Sequence, residues 1–570
     1  MTWQDDIYKY TLQNAVKFKG TANDKAIVGK ILSENPDARS SADEVKKLAA
    51  ESAEKVNAMS AEEQEKELKS IAPELLEDNK KDKPKEEKDI FAFLGIRQGD
   101  YVATAFPPEP SKYPHIGHAK AILINYLLAK KYNGKFYLRF EDTNPKLAKK
   151  EFYDIHKENY EWLGIKPDKI DYASNHMEEF YIFAEELIKK GKAYICTCET
   201  KKMRENRAKG IECKCRSHDE RRNLQEWRDM SLLNEGKAVL RMKIDLNHQN
   251  TTMRDPVIMR IIEGEHPRTG KRYKVWPNYD FENSVMDGIT RISHRLRTKE
   301  FELRNELQRF IQNELGFEET KIYEFSRFNL EGVESSGRII REKIENHELV
   351  GWDDPSLTTL VALRRRGFLP EAITNFVVST GITKAEATLT WDDLIVQNKR
   401  ILDSICSRYF FIENPTELKV ENSPVVESHL KLHPEQPEKG TRNMKSHGRF
   451  WITKQDYDAL QNNELYRLMD CINFKKENDA FVFGSKEHEK YKGIGKRIMH
   501  WLPFADDLVK TEVMMPDKEI KKGIAEHGIK NLKVGDIIQF ERFGFCKLDA
   551  IDEDETNPEN KTYKFWYTHK

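Results

Sequence analysis

The sequence predicts a multidomain α/β protein with C-terminal β-barrels, and three observations carry that prediction. The chain has 570 residues, which is room for about three to five domains of ordinary size. The stretch Tyr101–Pro145 shows a strand pattern, a helical pattern and a second strand pattern in turn. From about residue 400 onward, short β-prone runs separated by turns replace the helical periodicity. A parallel-sheet core followed by barrels accommodates all three.

The composition is that of a globular protein, with 38% hydrophobic residues and a net charge of −1. No apolar run approaches the roughly 18 residues of a membrane helix, and the N-terminus lacks a signal-peptide pattern. We therefore expect a cytoplasmic protein with no membrane partner. The near-zero charge excludes a histone-like polycation, although a local basic face remains compatible with nucleic acid. Seven cysteines, four of them clustered, are typical of a reducing compartment and a metal site.

Residues 1–90 are predicted to form a highly charged helical extension and a linker. Apolar residues recur there at helical spacing, and Ser41 with Glu44 has the form of a capping box. The run DNKKDKPKEEKD is typical of a solvated linker. Such an extension either docks a protein partner or keeps the chain in solution.

The stretch Tyr101–Pro145 is predicted to be one βαβ unit. Its prolines keep FPPEPSKYP out of regular structure, and HIGH opens the helix. Phosphate ligands favour the point where such a strand ends and its helix begins, because free N–H groups and partial positive charge lie there. Gly117 lets a flat ring approach the backbone, and His115 and His118 can donate to phosphate oxygens. Taken alone, two histidines at this spacing are more often solvated or core residues.

Four cysteines form two closely spaced pairs, C-x-C and C-x-C, separated by fourteen residues. They are Cys196, Cys198, Cys213 and Cys215. Four thiolates complete a tetrahedral Zn²⁺ site with no open position, so zinc bound there would be structural. The alternative is four free thiols in a charged surface loop, but such thiols would be reactive and the segment is otherwise polar. His218 could replace one cysteine.

The string FPPEPSKYPHIGHAKA resembles the HIGH signature of class I aminoacyl-tRNA synthetases, in the glutamyl and glutaminyl form. WPNYDF, HRLRTKEF and YEFSRFNLEG resemble later segments of the same enzymes, and AYICTCETKKMRE…CKCRS resembles the zinc insertion of archaeal-type glutamyl-tRNA synthetases. The resemblance runs from about residue 95 to 570. It implies a Rossmann-type parallel-sheet core divided by an inserted domain.

The resemblance also implies the division of the chain. The predicted segments are 1–90 (helical extension and linker), 91–192 (first catalytic half), 193–275 (inserted acceptor-stem domain with the cysteines), 276–345 (second catalytic half with the phosphate loop), 346–400 (helical connective domain) and 401–570 (two anticodon-binding β-barrels).

Matching positions imply the site residues. The catalytic set is His115, Gly117, His118, Ser335, Ser336 and Arg338. The ATP-binding set is Glu109, Pro110, Ser111, Thr298, Arg327 and Phe328. The substrate-binding set is Glu141 for the amino group, Tyr279 in the side-chain pocket, and Arg297.

Arg297 decides between glutamate and glutamine in this interpretation. A guanidinium binds a carboxylate through two parallel donors but offers no acceptor to an amide NH₂. We therefore expect glutamate. The alternative is that Arg297 faces phosphate or solvent within an arginine-rich run.

Two positions depart from the family pattern. Ala105 stands where the family has an arginine that helps to bind the substrate side chain, and Gly337 stands where K-M-S-K-S has its phosphate-binding lysine. Losing a designed polar partner can cost discrimination by up to about 10⁴–10⁵. Arg338 and the serine hydroxyls could still serve the phosphates, or the segment is an ordinary Ser/Gly surface loop.

The resemblance implies a monomeric glutamate–tRNA ligase that uses ATP, Mg²⁺, L-glutamate and tRNA(Glu), with tRNA(Gln) as an open second acceptor. The alternatives are a glutaminyl enzyme and a non-catalytic tRNA-binding paralogue. On such an enzyme, the run Arg364–Arg366 is expected to meet the tRNA phosphate backbone.

Overall fold

A computed structural model describes residues 3–17, 20–35, 38, 41–75, 89–334, 336–386, 388–478, 480–553 and 561–570. The chain divides into two units, residues 1–89 and residues 90–570. Among the described helices, none has the length and apolar character needed to span a membrane.

The first unit is helical, as predicted. Its helices are α1 (Trp3–Lys17), α2 (Asp24–Glu34), α3 (Ala42–Asn57) and α4 (Ala61–Ile71). The capping box predicted at Ser41 is wrong, because the Ser41 side chain caps nothing. The box lies one helix later: Glu63 N–H donates to Ser60 Oγ at 3.3 Å, and Ser60 N–H donates to the Glu63 carboxylate at 2.8 Å.

The second unit begins with three parallel strands and their helices. In chain order they are β1 (Ala103–Phe106), α5 (Ile116–Lys131), β2 (Lys135–Phe140), α6 (Lys150–Trp162), β3 (Lys169–Tyr172) and α7 (Met177–Lys189). The strand order is β1-β2-β3, and β1 pairs with β2 at Ala105 opposite Tyr137. The predicted βαβ unit is therefore present.

An antiparallel sheet with two helices interrupts this core. Its elements are β4 (Ala193–Cys196), α8 (Thr200–Ala208), α9 (Glu220–Asp229), β5 (Val239–Met242), β6 (Val257–Ile261) and β7 (Val275–Pro277). The strands follow one another in the order β4-β5-β6-β7.

The parallel core then resumes. Its elements are α10 (Tyr279–Thr290), β8 (His294–Thr298), α11 (Asn305–Glu314), β9 (Lys321–Phe325), β10 (Asn329–Leu330) and α12 (Gly337–Glu345). β8 and β9 are parallel. The two parallel pieces meet where Ser293 N–H donates to Ala103 O at 3.0 Å. Asn125 of α5 joins them as well, because its amide donates to Leu296 O at 2.7 Å and its backbone carbonyl accepts from Thr104 at 2.8 Å.

A helical connective segment follows, with α13 (Leu360–Arg366), α14 (Pro370–Thr380), β11 (Thr388–Leu389) and α15 (Trp391–Ile405). The expectation that Arg364–Arg366 meets tRNA phosphates is wrong for Arg366, which is buried, and stays a prediction for the two more exposed arginines. Arg364 pairs with Glu158 at 2.8 Å, and Arg365 pairs with Asp549 at 2.8 Å. Arg366 is 4% exposed and donates to two backbone carbonyls at 2.9 Å.

The C-terminal part contains two seven-stranded barrel-like sheets, as predicted, and a two-stranded sheet formed by β15 and β16. Its elements are β12 (Arg408–Tyr409), β13 (Phe411–Glu413), β14 (Pro415–Glu421), β15 (Val426–Lys431), β16 (Thr441–Ser446), β17 (Arg449–Thr453), α16 (Lys454–Asp458), β18 (Leu465–Leu468), β19 (Asn473–Glu477), β20 (Ala480–Ser485), β21 (Arg497–Met499), β22 (Leu502–Pro503), β23 (Val509–Met514), β24 (Ile520–Ala525), β25 (Ile537–Phe540), β26 (Gly544–Glu553) and β27 (Lys561–His569).

The strand orders are β21-β18-β19-β20-β14-β17-β22 in the first sheet and β12-β25-β26-β27-β23-β24-β13 in the second. The chain thus starts the second barrel with β12 and β13, builds the first barrel, and returns to complete the second.

Candidate active site

The HIGH residues form the first turn of α5, and their side chains bond to that turn. His115 Nδ1 accepts from Gly117 N–H at 3.1 Å, and His118 Nδ1 accepts from His115 N–H at 3.2 Å. Because both Nδ1 atoms accept, both imidazoles are neutral and carry their proton on Nε2. Burial and the neighbouring Lys112 lower the pKa of His115 to about 3, and burial lowers the pKa of His118 well below its usual value.

The imidazole ring of His115 leaves no space for a side chain at Gly117. A Cβ at this position would lie 2.9 Å from Cε1 of His115. The ring that approaches the Gly117 backbone is therefore that of His115 itself, and a side chain at Gly117 would displace the histidine.

The HIGH loop is held by the segment that leads into α13. Ile116 N–H donates to Thr358 O at 3.0 Å, and Leu360 N–H donates to Pro114 O at 2.9 Å. The position of the histidines thus depends on the connective segment as well as on α5.

A cavity of about 670 Å³ opens beside these histidines. Its lining includes ten of the predicted site residues: Glu109, His115, Gly117, His118, Glu141, Tyr279, Arg297, Thr298, Arg327 and Phe328. Pro110, Ser111, Ser336 and Arg338 are not part of that lining, and Ser335 lies outside the described residues. Ser111 instead donates to the Glu109 carboxylate at 2.7 Å.

Beside the cavity, at Glu141, two carboxyl groups converge on one amide. Asn283 Nδ2 donates to Glu141 Oε1 and, at 2.8 Å, to Glu282 Oε2. Burial and the adjacent Glu141 raise the pKa of Glu282 well above its usual value. Two carboxyl groups this close disfavour full ionisation of both, and an ammonium group placed beside them would be stabilised.

Tyr279 and Arg297 meet in the same cavity. Arg297 Nη1 donates to Tyr279 Oη at 3.4 Å, and Arg297 Nη2 donates to Asn305 Oδ1. The Tyr279 ring stacks on Phe301 with 5.1 Å between centroids. Arg297 is buried, which contradicts the alternative that it faces solvent.

Three of the predicted ATP residues contact the Glu300 carboxylate or the Lys120 ammonium group. Thr298 Oγ1 donates to Glu300 at 3.0 Å, and the Arg327 guanidinium pairs with the same carboxylate at 3.1 Å. Lys120 Nζ lies 4.4 Å from the centre of the Phe328 ring. Burial lowers the pKa of Lys120 to about 8.

The segment predicted to be the phosphate loop leads into α12. Ser336 Oγ accepts from Ile339 N–H at 3.5 Å and caps the helix. The Arg338 side chain is 83% exposed and faces Glu342 at 3.6 Å. A Cβ at Gly337 would lie 3.2 Å from Cδ of Lys112, so the loop packs closely against the segment before HIGH.

The four cysteines come together in the inserted sheet. Their sulfur atoms lie within 4.8 Å of one another, with Cys198 and Cys215 at 3.7 Å. Four thiolates at these separations fit the tetrahedral Zn²⁺ sites of proteins. His218 lies outside this group and faces Glu226 at 3.2 Å.

Comparison with known proteins decides the family. Residues 101–404 match the catalytic domain of class I tRNA synthetases (E and Q). The chain belongs to this synthetase family. Residues 406–489 and 498–549 match the anticodon-binding domains of the same synthetases.

The similarity to curated members of the family extends over the whole chain. The glutamate–tRNA ligase of Pyrococcus furiosus is 41% identical over 561 residues, 96% of this chain and 97% of the relative. That of Methanothermobacter thermautotrophicus is 38% identical over 568 residues, 100% of this chain and 99% of the relative. A solved glutamate–tRNA synthetase from Elizabethkingia anophelis aligns with 54% of this chain and 71% of its own, at 19% identity and a TM-score of 0.41.

Sequence reasoning missed several residues in and beside the synthetase cavity. Glu282 and Asn283 stand three and four residues after the predicted Tyr279 on α10, so helical spacing could have found both. Lys120 and Arg295 also line the cavity. Arg295 stands two residues before the predicted Arg297 on β8, so strand spacing could have found it as well.

Proposed function

We propose that the protein is a glutamate–tRNA ligase, which activates L-glutamate with ATP and transfers it to the terminal adenosine of tRNA(Glu). The observation that carries this proposal is the buried contact between Arg297 and Tyr279 in the cavity that Glu141 also lines. An arginine there recognises a side-chain carboxylate and gives an amide no acceptor. The full-length similarity to glutamate–tRNA ligases agrees with glutamate rather than glutamine.

The reaction would begin with attack of the glutamate α-carboxylate on the α-phosphorus of ATP, in line with the departing pyrophosphate. Glu141, with its partner Glu282, would hold the substrate ammonium. Neutral His115 and His118 would donate from Nε2 to phosphate oxygens as negative charge moves onto the leaving group. Positioning and hydrogen bonding, without a covalent enzyme intermediate, would supply the rate enhancement.

The nucleotide would lie between the HIGH turn and β8. Thr298, Arg327 and Phe328 would contact its adenosine part, and Glu109, Pro110 and Ser111 would border it from the loop after β1. Mg²⁺ would enter with the ATP phosphates as part of the substrate. The loop residues Ser335, Ser336 and Arg338 would stabilise the phosphates during the activation step.

The cysteine cluster would hold one structural Zn²⁺. Cys196, Cys198, Cys213 and Cys215 fill all four positions of a tetrahedral site, so the ion would fix the inserted segment without touching substrate. The inserted domain, residues 193–275, would meet the acceptor stem of the tRNA, and the barrels, residues 401–570, its anticodon.

An aminoacylation assay tests the proposal. Purified protein would be given ATP, Mg²⁺ and either glutamate or glutamine, with tRNA(Glu) and tRNA(Gln) in separate reactions. We expect glutamate to be attached to tRNA(Glu), and the same assay shows whether tRNA(Gln) accepts it. Attachment of glutamine would establish the glutaminyl alternative, and tRNA binding without charging would establish the non-catalytic one.

A further inference from the structure

Arg295 is a second buried arginine on the floor of the cavity. It stands two residues before Arg297 on β8, and residues at this spacing lie on the same face of a strand. Arg295 is 2% exposed, and both arginines line the cavity. Two fixed positive charges therefore lie side by side at the place proposed for the substrate side chain.

The guanidinium of Arg295 is only partly satisfied by the protein. Its Nη2 pairs with Asp287, whose carboxylate also accepts from Arg139 Nη1 at 2.8 Å. Apart from this ion pair, none of its three side-chain nitrogens has a hydrogen-bond partner among the described residues. One carboxylate thus serves two arginines, and buried N–H groups without acceptors are costly. An anionic ligand would supply the missing acceptors.

The strand beside β8 leaves room for this side chain. Ala105 of β1 is buried and lines the same cavity. Its methyl group brings no polar atom, and β1 and β8 are neighbours through Ser293 and Ala103. At Ala105 the family has an arginine; in this chain the adjacent strand β8 carries a guanidinium instead, that of Arg295.

We propose that Arg295 is a second ligand of the side-chain carboxylate of glutamate and, with Arg297, determines specificity for it. This proposal rests on the proposed function. Arg295 donates to the carboxylate from Nη1 while Asp287 pairs with Nη2. A glutamine amide offers one acceptor oxygen and directs an NH₂ at a guanidinium, so the second arginine strengthens the rejection of glutamine.

The test compares Arg295→Gln and Arg295→Lys with Arg309→Gln, a half-exposed arginine on α11 that serves as the control. KM and kcat would be measured for glutamate, glutamine and ATP, with tRNA(Glu) present throughout. We expect Arg295→Gln to raise KM for glutamate at least about tenfold, because hydrogen bonds to a charged group are lost. KM for ATP should stay within about twofold, and the preference for glutamate over glutamine should fall. Lysine should restore part of the loss, and Arg309→Gln should match the wild type.

Three results would overturn the proposal. One is an unchanged KM for glutamate in a folded Arg295→Gln variant. Another is an equal loss for glutamate and glutamine, which would place Arg295 at the shared α-carboxylate. The third is an equal rise of KM for ATP, which would indicate a general structural role. If Arg295→Gln does not fold, Arg295→Lys keeps the charge beside Asp287, and an unchanged preference for glutamate in that variant would contradict the proposal. Failure of the wild type to charge tRNA with glutamate would instead refute the proposed function.

Discussion

Arg365 of α13 donates from Nε and Nη2 to the two carboxylate oxygens of Asp549 on β26, at 2.8 Å each. The same guanidinium lies 4.1 Å from the centre of the Trp566 ring on β27. A planar guanidinium that is both paired and stacked is held in one orientation. This contact joins the connective helices to the second barrel.

Arg365→Ala is expected to lower the free energy of unfolding by about 1–2 kcal/mol, because a charge-assisted pair and a stacking contact are lost together. Arg364→Ala is the matched control, since its pair with Glu158 is more exposed and such pairs contribute about 0–1 kcal/mol. Urea unfolding of both variants and of Asp549→Ala would measure the effect. Equal midpoints for the Arg365 and Arg364 variants would contradict this account.

His118→Ala is expected to lower the exchange of pyrophosphate into ATP at least about tenfold, because a proton donor to the phosphates is removed. KM for glutamate should change little. His527→Ala, which removes an exposed histidine of the second barrel, should leave exchange unaffected. Unchanged exchange in His118→Ala would refute the catalytic role of this histidine.

Arg338→Ala is expected to lower the rate of the same exchange by about tenfold with KM for glutamate unchanged, because a contact made only as pyrophosphate leaves affects kcat. The control is Arg341→Ala, an exposed arginine one turn further along α12. If the two variants behave alike, Arg338 is an ordinary surface residue.

Metal analysis of the purified protein should give one zinc per chain. Cys213→Ser should lose the metal and destabilise the inserted segment, since a tetrahedral site with three thiolates binds more weakly. Cys471→Ser changes a buried thiol of the first barrel and should keep the zinc. A wild type without bound metal, prepared in the absence of chelators, would disprove the zinc site.

Acid should destabilise the fold below neutral pH. Burial lowers the pKa of His156, His294, His500 and His569 to about 4. Between pH 6.5 and 4 the unfolded chain therefore binds protons that the folded protein does not, so stability falls as pH falls. The loss at pH 5 is on the order of 2 kcal/mol for each such histidine.

Urea midpoints at pH 7 and pH 5 would measure this loss, and His500→Gln should reduce the difference between them. If the variant shows the same difference as the wild type, His500 is not one of the groups responsible.

Local sequence patterns predicted the βαβ unit, the helical extension and the strand-rich C-terminal part, because each depends on spacing within a few residues. The motif matches also placed Glu141, Tyr279 and Arg297 around one cavity. The hydrogen-bond partners of Arg364, Arg365 and Arg366 could not be predicted, since these acceptors lie up to 206 positions away along the chain. The surroundings of Arg295 could not be predicted for the same reason, since Asp287 and Ala105 come from different elements.

The hydrogen bond between Ser293 and Ala103 also bears on the order in which the molecule folds. The two residues are 190 positions apart, with the inserted antiparallel sheet in between. Closing so long a loop is slow unless the intervening chain has already become compact. We therefore expect the inserted sheet to form before β8 reaches β1. The substrate cavity, which needs both strands, would then be among the last parts of the enzyme to appear during refolding.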